Sequence, residues 1–276
     1  MASRKEQKEQ ARAARIAQEQ EAAAKAQRTR RLQVFGGVIA IAVVVIVVVI
    51  ALSVGGSKST SGSSLTTDAK AKAAAAYVAT ELKNIPQSGT TLGSPSAKVT
   101  LTYFGDLQCP ICADFTKGIG GGGLPQFIQN DVRHGKVKIV YRSFCTASCN
   151  NTSVSNPQQL FNTQQVAAYA AGKQNKFWNY AEIFYREQGT EGTPYVTSGY
   201  LSGIAQEIPG LNMSAWQSAR KDQTLHTQVN TDNSVATTDG IQATPALVIK
   251  GPKGIQSLGA GILTYAQLEA GVKAVS

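Results

Sequence analysis

The stretch "FGDLQCPICADF", residues 104–115, decides the reading of this chain, because it sets Cys109 and Cys112 three positions apart with Pro110 behind the first. The segment just before it, "KVTLTYF" (Lys98 to Phe104), has strand composition and partial alternation. A strand would thus deliver Cys109 to the start of a helix, with Pro110 at the first helical position, where a missing N–H costs nothing. Free backbone N–H groups and the positive end of the helix dipole stabilise a thiolate there. Cysteines so placed ionise at roughly 3.5 to 7.5. A stabilised thiolate makes the corresponding disulfide easier to reduce, so the oxidised pair hands its bond to other proteins. Cys112, one helical turn further and on the inner side, is the natural resolving thiol.

Two other readings compete. The chain has four cysteines, in two close pairs, Cys109/Cys112 and Cys145/Cys149. Four thiolates can hold a tetrahedral zinc ion. Ribbon-type zinc sites, however, place turn residues such as glycine between ligands, whereas Pro110 and Ile111 sit at a helix start. A purely structural bridge from Cys109 to Cys112 would close a loop too short to restrict the unfolded chain much. The redox reading therefore stands ahead of both, with no metal site expected. Cys145 and Cys149 are spaced by one helical turn or a tight loop, so their sulfurs can meet. A structural disulfide is the expectation for them, with a second shuttle pair relaying to Cys109, or free thiols, as alternatives.

Which side of a membrane the cysteines occupy bears on all of this. Residues 34–54, "VFGGVIAIAVVVIVVVIALSV", are 21 residues without a charge. As a helix they would cross a hydrocarbon core of about 30 Å. A cleaved signal peptide has a shorter apolar region, about 7 to 15 residues. Of the chain's 27 Lys/Arg, nine fall in residues 1–33, where only four Glu oppose them. The positive-inside rule then places residues 1–33 in the cytoplasm as a basic tail and residues 55–276 outside, with a single transmembrane helix between. That tail has helix propensity but almost no large apolar side chain, so it reads as a solvated arm or one held on anionic lipid by Arg28, Arg30 and Arg31. The net charge of +10 carries no nucleic-acid motif with it, and no nucleic-acid partner is expected. Outside the membrane thiols tend to be oxidised, and all four cysteines lie there.

Residues 55–84 read as a Gly/Ser linker followed by a short helix capped by Asp68, and residues 86–97 as a loop. Helical character over 110–130 should break at Gly118 and Gly120–Gly123. "KVKIVYRSF" (Lys136 to Phe144) is a second strand, an Ala/Gln-rich helical block follows over about 150–239, and "ATPALVIK" (Ala243 to Lys250), a turn, a short strand and a last helix over Thr264 to Val275 complete the chain. One hydrophobic core with a helical insertion fits this order better than two equal domains. His134 and His226 are far apart and read as surface residues, and Trp178 and Trp216 as core residues of the block.

"VTLTYFGDLQCPICADF", "KVKIVYRSF", the helical block and "GIQATPALVI" together resemble the DsbA-like branch of the thioredoxin superfamily, and more closely its membrane-anchored members of Gram-positive and actinobacterial type. The resemblance covers about residues 85–275. It implies an α/β thioredoxin fold with a helical insertion for the domain 85–276. It also implies an exposed nucleophile at Cys109, a resolving thiol at Cys112, a cis-proline at Pro245, and Thr244 as the residue whose backbone receives substrate. The activity implied is thiol–disulfide exchange on reduced exported polypeptides by a monomer, with no cofactor and with reoxidation by a quinone-linked membrane enzyme of DsbB or VKOR type. The chain departs from the pattern in places. Strongly oxidising members carry histidine where this chain has Ile111, which offers the thiolate no charge or N–H, so a potential less oxidising than theirs but still above thioredoxin's is expected. Ala243 stands where glycine is usual, and Tyr103 stands where some relatives have a buried acid. Asp106 is a candidate for tuning or proton transfer, or else a solvated loop carboxylate. Rival readings are the same chemistry run as a reductase or isomerase, and a thioredoxin-fold binding or chaperone module in which Cys109→Ser would leave client protection intact.

Overall fold

Residues 65–276 are described by the computed structural model. The basic tail, the expected transmembrane helix over 34–54 and the linker up to residue 64 lie outside the described residues. Among the described residues no helix is long and apolar enough to cross a membrane.

The domain opens with α1 (Leu65–Glu81), which starts earlier than Asp68, so that residue lies inside the helix and is not its cap. Ala74 and Val78 on α1, and Leu82 just after it, are buried against the rest of the domain. Two two-residue strands follow, β1 (Gln87–Ser88) and β2 (Thr91–Leu92), where the sequence predicts only loop. Their pairing is supplied by β4 (Val137–Ser143), against which β2 runs antiparallel, and a two-residue strand is too short to show a period.

The remaining strands are β3 (Val99–Gly105), β5 (Ala246–Gly251) and β6 (Gly254–Ala260), giving a six-stranded sheet in the order β1-β2-β4-β3-β5-β6. β3 is central, parallel to β4 (Val99↔Val137 through Gly105↔Ser143) and antiparallel to β5 (Phe104↔Ala246). Val99, Leu101 and Tyr103 of β3 alternate inward, as do Val137, Ile139 and Tyr141 of β4, while the end of β3 is buried on both faces. Each large apolar side chain buried in this way contributes about 1.5–3 kcal/mol.

Helix α2 (Pro110–Lys117) crosses from β3 and ends at Gly118. That glycine takes the left-handed conformation (φ 77°) and returns its N–H to Asp114 and Phe115 carbonyls, a helix stop that glycine adopts without a steric penalty. A 3₁₀ turn (Ile119–Gly121), the short α3 (Leu124–Phe127) and a π turn (Ile128–Val132) then lead to β4.

Between β4 and β5 the chain inserts five helices, α4 (Pro157–Gly172), α5 (Phe177–Glu187), α6 (Ser198–Glu207), α7 (Met213–Ala219) and α8 (Gln223–Thr238). Asn156, Thr197, Asn212 and Asp222 cap four of them by accepting a backbone N–H from the first turn, each cap contributing about 1 kcal/mol. Trp178 and Trp216 are core residues of this block, and each indole N–H reaches a carbonyl, Thr90 O at 2.9 Å and Ala167 O at 2.8 Å. Helix α9 (Tyr265–Val275), with Thr264 in a capping box, closes the fold.

Candidate active site

β3 ends at Gly105, and three residues carry the chain to Cys109, the N-cap of α2 (φ −71°, ψ 119°), with Pro110 at the first helical position. Gly105 has no room for a side chain: a Cβ there would lie 2.6 Å from the Tyr141 ring and 3.0 Å from the Tyr185 hydroxyl. The Cys109 N–H donates to the Asp106 carbonyl at 3.0 Å, and its own carbonyl accepts the Ala113 N–H at 3.2 Å, the first bond of the helix. The register of β3 on β5 brings in a segment 135 positions away: the Cys109 sulfur donates to the Thr244 carbonyl at 3.3 Å. The peptide between Thr244 and Pro245 is cis, and β5 begins only after it, at Ala246, rather than at Ala243.

Cys109 and Cys112 are both free thiols in the structure. Their environments push them apart. The Cys109 thiol is brought down to about 7, chiefly by its hydrogen bond with the Cys112 thiol, helped by Thr244 and by the Cys112 backbone N–H. Burial and the Asp106 carboxylate pull the other way. The Cys112 thiol is fully buried and held well above the ordinary range, first by that burial and then by the bond to Cys109 and its charge. One sulfur is therefore ionised near neutrality and the other stays protonated, the division of labour a dithiol exchange requires. Ile111 stands in solvent beside the pair at 41% exposure. Tyr103 is buried beneath it, its hydroxyl 3.4 Å from Thr116 Oγ1 and 3.5 Å from the Cys112 carbonyl oxygen.

Asp106 is not a solvated loop carboxylate; it is fully buried. Its Oδ1 accepts the Gln108 N–H at 3.0 Å, the Gln164 amide at 3.3 Å and the Ser148 hydroxyl, and its Oδ2 accepts the backbone N–H of Thr146 at 2.9 Å and of Ser148 at 2.8 Å. Burial raises its pKa while these bonds, those from Ser148 foremost, oppose the rise. Both oxygens are occupied by donors other than the cysteines, so Asp106 ties the redox turn to the segment after β4. That segment carries the Cys145–Cys149 disulfide, with Cα atoms 5.6 Å apart. Within the bridged loop the Thr146 hydroxyl lies 2.6 Å from that of Thr244. The loop thus contacts the site at two points, through Asp106 and through Thr244.

Gln108, Gln164, Gln188 and Ser148 also shape the site and are not singled out by the sequence. Gln108 bonds Gln164 at 3.0 Å and Asn151 at 3.2 Å, and Gln188 reaches the carbonyls of Leu107 and Cys109. Gln164 and Gln188 lie in an Ala/Gln-rich helical block and read as surface, so only the positions of Gln108 next to Cys109 and of Ser148 inside the Cys145–Cys149 loop carry a signal. His134 is exposed and bonded to Gln129, and His226 is half-buried on Asn162; neither joins the site. Among the described residues no group of three or more His, Cys, Asp or Glu is placed to hold a metal ion.

A family model described as Thioredoxin matches residues 86–272. The chain is similar to the "Disulfide bond formation protein D" of Bacillus subtilis (strain 168), at 24% identity over 163 residues, covering 57% of this chain and 66% of that protein. It is also similar to the "Probable disulfide bond formation protein D" of Bacillus cereus, at 22% identity, covering 58% of this chain and 69% of the relative. The chain thus spans about two thirds of the length of these relatives. Among solved structures it resembles oxidised BdbD from Bacillus subtilis with a TM-score of 0.53 at 21% identity, over 68% of this chain and 95% of that one. Pseudomonas aeruginosa DsbA2 matches with a TM-score of 0.52 at 21% identity, over 69% and 96% of the two chains. These two likenesses establish a shared thioredoxin-like fold with a helical insertion.

Proposed function

The chain belongs to the thioredoxin family, and from that premise we propose that it is a thiol:disulfide oxidoreductase acting on exported proteins as a disulfide donor through Cys109 and Cys112. In the oxidised pair a substrate thiolate attacks the Cys109 sulfur. The Cys109–Cys112 bond breaks, and Cys112 leaves with the electron pair and takes up a proton, which its buried, raised thiol favours. A second substrate thiolate then attacks the substrate sulfur of the mixed disulfide and expels Cys109 as a thiolate. The substrate has lost two electrons to the enzyme and gained a disulfide. The observation that supports this reading most directly is the asymmetry of the pair: a thiol near 7 at a helix start beside Thr244, and a protonated partner one turn inside. The names of the relatives, disulfide bond formation proteins, agree with it.

Reoxidation calls for an electron acceptor, and a quinone-linked membrane oxidase of DsbB or VKOR type is the partner this chemistry fits. The apolar segment 34–54, with the basic residues on its N-terminal side, would anchor the domain outside the cytoplasmic membrane, within reach of both exported chains and such an oxidase.

One observation favours a second direction. Thioredoxin's cysteine ionises at about 7 and that of the strong oxidant DsbA at about 3.5, and Cys109 at about 7 sits at the thioredoxin end. The groups that hold it down are a thiol, a threonine and a backbone N–H, with no cation among them. A mild oxidant, or a reductase or isomerase working in reverse, follows from the same geometry.

The experiment mixes the oxidised protein with a reduced, unfolded model protein and counts free thiols. The donor reading requires transfer of one disulfide per enzyme and loss of transfer in Cys109→Ser; Cys112→Ser, first loaded as a Cys109–glutathione mixed disulfide, should exchange the glutathione for a substrate thiol and stop at the substrate–Cys109 mixed disulfide. Equal transfer by Cys109→Ser would end it. The equilibrium constant against glutathione decides the direction.

A further inference from the structure

Gln188, the C-cap of α5 (φ −46°, ψ 129°), is the point at which the helical insertion reaches the redox turn. Its amide nitrogen donates 2.8 Å to the Leu107 carbonyl and 3.1 Å to the Cys109 carbonyl. Those two carbonyls bracket Gln108, the last residue before the nucleophile. The same turn is held on its other side, where the Gln108 N–H donates to Asp106 Oδ1 at 3.0 Å. The Leu107–Gln108 peptide is therefore fixed at its oxygen by the end of α5 and at its N–H by Asp106 of the same loop. The Cys109 carbonyl receives Gln188 together with the Ala113 N–H at 3.2 Å, so both of its lone pairs are engaged.

We propose that Gln188 is a positioning residue for the redox pair, its single amide fixing the Leu107–Cys109 turn so that Cys109 caps α2 with its sulfur against Thr244. The assignment rests on the thiol–disulfide reading. The physical reason is one of alternatives. Cys109 has no side-chain cap of its own, and a turn of three residues ahead of a helix has several peptide orientations of similar energy. An amide that must satisfy two carbonyls at once selects one of them. Removing it leaves the Leu107 carbonyl without that donor in a buried setting, and the peptide rotates to find another. Cys109 then loses register with the Cys112 thiol, the Cys112 N–H and the Thr244 hydroxyl, which are the groups that favour its thiolate. A residue that only capped α5 would have no bearing on those contacts.

The test compares the full chain with Gln188→Met, which keeps the length and removes the donor, and Gln188→Glu, which keeps the shape and turns an acceptor toward the two carbonyls. Two quantities are read on each: the midpoint of Cys109 alkylation against pH, and the equilibrium of the pair in a glutathione redox series. For Gln188→Met the midpoint is expected to rise by about 0.5–1 unit and the equilibrium to move about three- to tenfold toward the protein disulfide. The shift should be larger for Gln188→Glu. Midpoints and equilibria within twofold of the parent, whatever happens to the melting temperature, would overturn the assignment. If either variant does not fold, Gln188→Asn, whose amide is one methylene too short for both carbonyls, carries the same comparison with the same outcomes. A parent protein that fails to exchange with glutathione would instead sink the oxidoreductase reading, so the two failures are distinguishable.

Discussion

Asp106 holds five donors with two oxygens while fully buried. An asparagine in its place would turn an NH₂ group toward two or three of those donors and leave them unpaired. Each buried unsatisfied group costs about 1–3 kcal/mol. Asp106→Asn is therefore expected to lower the unfolding free energy by roughly 2–3 kcal/mol in urea titrations of the oxidised protein, and a loss under about 0.5 kcal/mol would contradict the hub described here. The residue also shows where sequence reading stops. Cys109, Pro110 and Cys112 announce themselves, because a cysteine pair at a strand–helix junction has few uses. Asp106 three positions earlier does not, because its burial is decided by Thr146 and Ser148 some 40 positions later. Gln188 is still less legible: its donors matter only because the end of α5 folds back onto the redox turn.

α1 and α5 meet around one arginine. Arg186 bonds Glu81 at 3.2 Å and Glu182 at 3.3 Å, and its guanidinium lies 3.9 Å from the centre of the Tyr77 ring. One cation thus faces two buried carboxylates, and Glu182 Oε1 has no hydrogen-bond partner. Burial raises the pKa of Glu81 and raises that of Glu182 well above the ordinary range. A carboxyl whose folded pKa is raised binds its proton more tightly folded than unfolded. Its contribution to stability is complete below about pH 4.3, the unfolded value, and is lost as pH rises through the folded value. Glu182→Gln should therefore stabilise the protein at pH 7–8 and flatten the fall of melting temperature with rising pH. An unchanged slope would show that the pair is fully compensated by Arg186. At this scale β3, β4, β5 and α9 were readable from residue composition and apolar spacing, and the break after α2 from its glycines, whereas Asp68, the one cap read from the sequence, lies inside α1. The β1–β2 hairpin was not, since strands of two residues exist only through their neighbours, and the start of α1 lay in a Ser/Thr stretch that reads equally well as linker.

The whole chain combines a thioredoxin sheet, a five-helix insertion that reaches the redox turn through Gln188, and an N-terminal region made of a basic stretch, 1–33, and an uncharged apolar stretch, 34–54. The order of elements and the insertion were legible because each carries its own composition or apolar spacing. The polar seam joining insertion to sheet, from Gln164 and Gln188 to Asp106, was not, because it is made of contacts distant in sequence. That seam and the β3–β5 register together build the surroundings of one sulfur. Alkylation of the reduced protein with iodoacetamide across pH, with mass spectrometry assigning the adduct to Cys109, tests this most directly when run on folded and on urea-unfolded chains. The folded protein should give a midpoint near 7 and the unfolded chain the ordinary value of about 8.5. A midpoint of about 8.5 in both would mean that the fold does nothing for this thiol and would contradict the account.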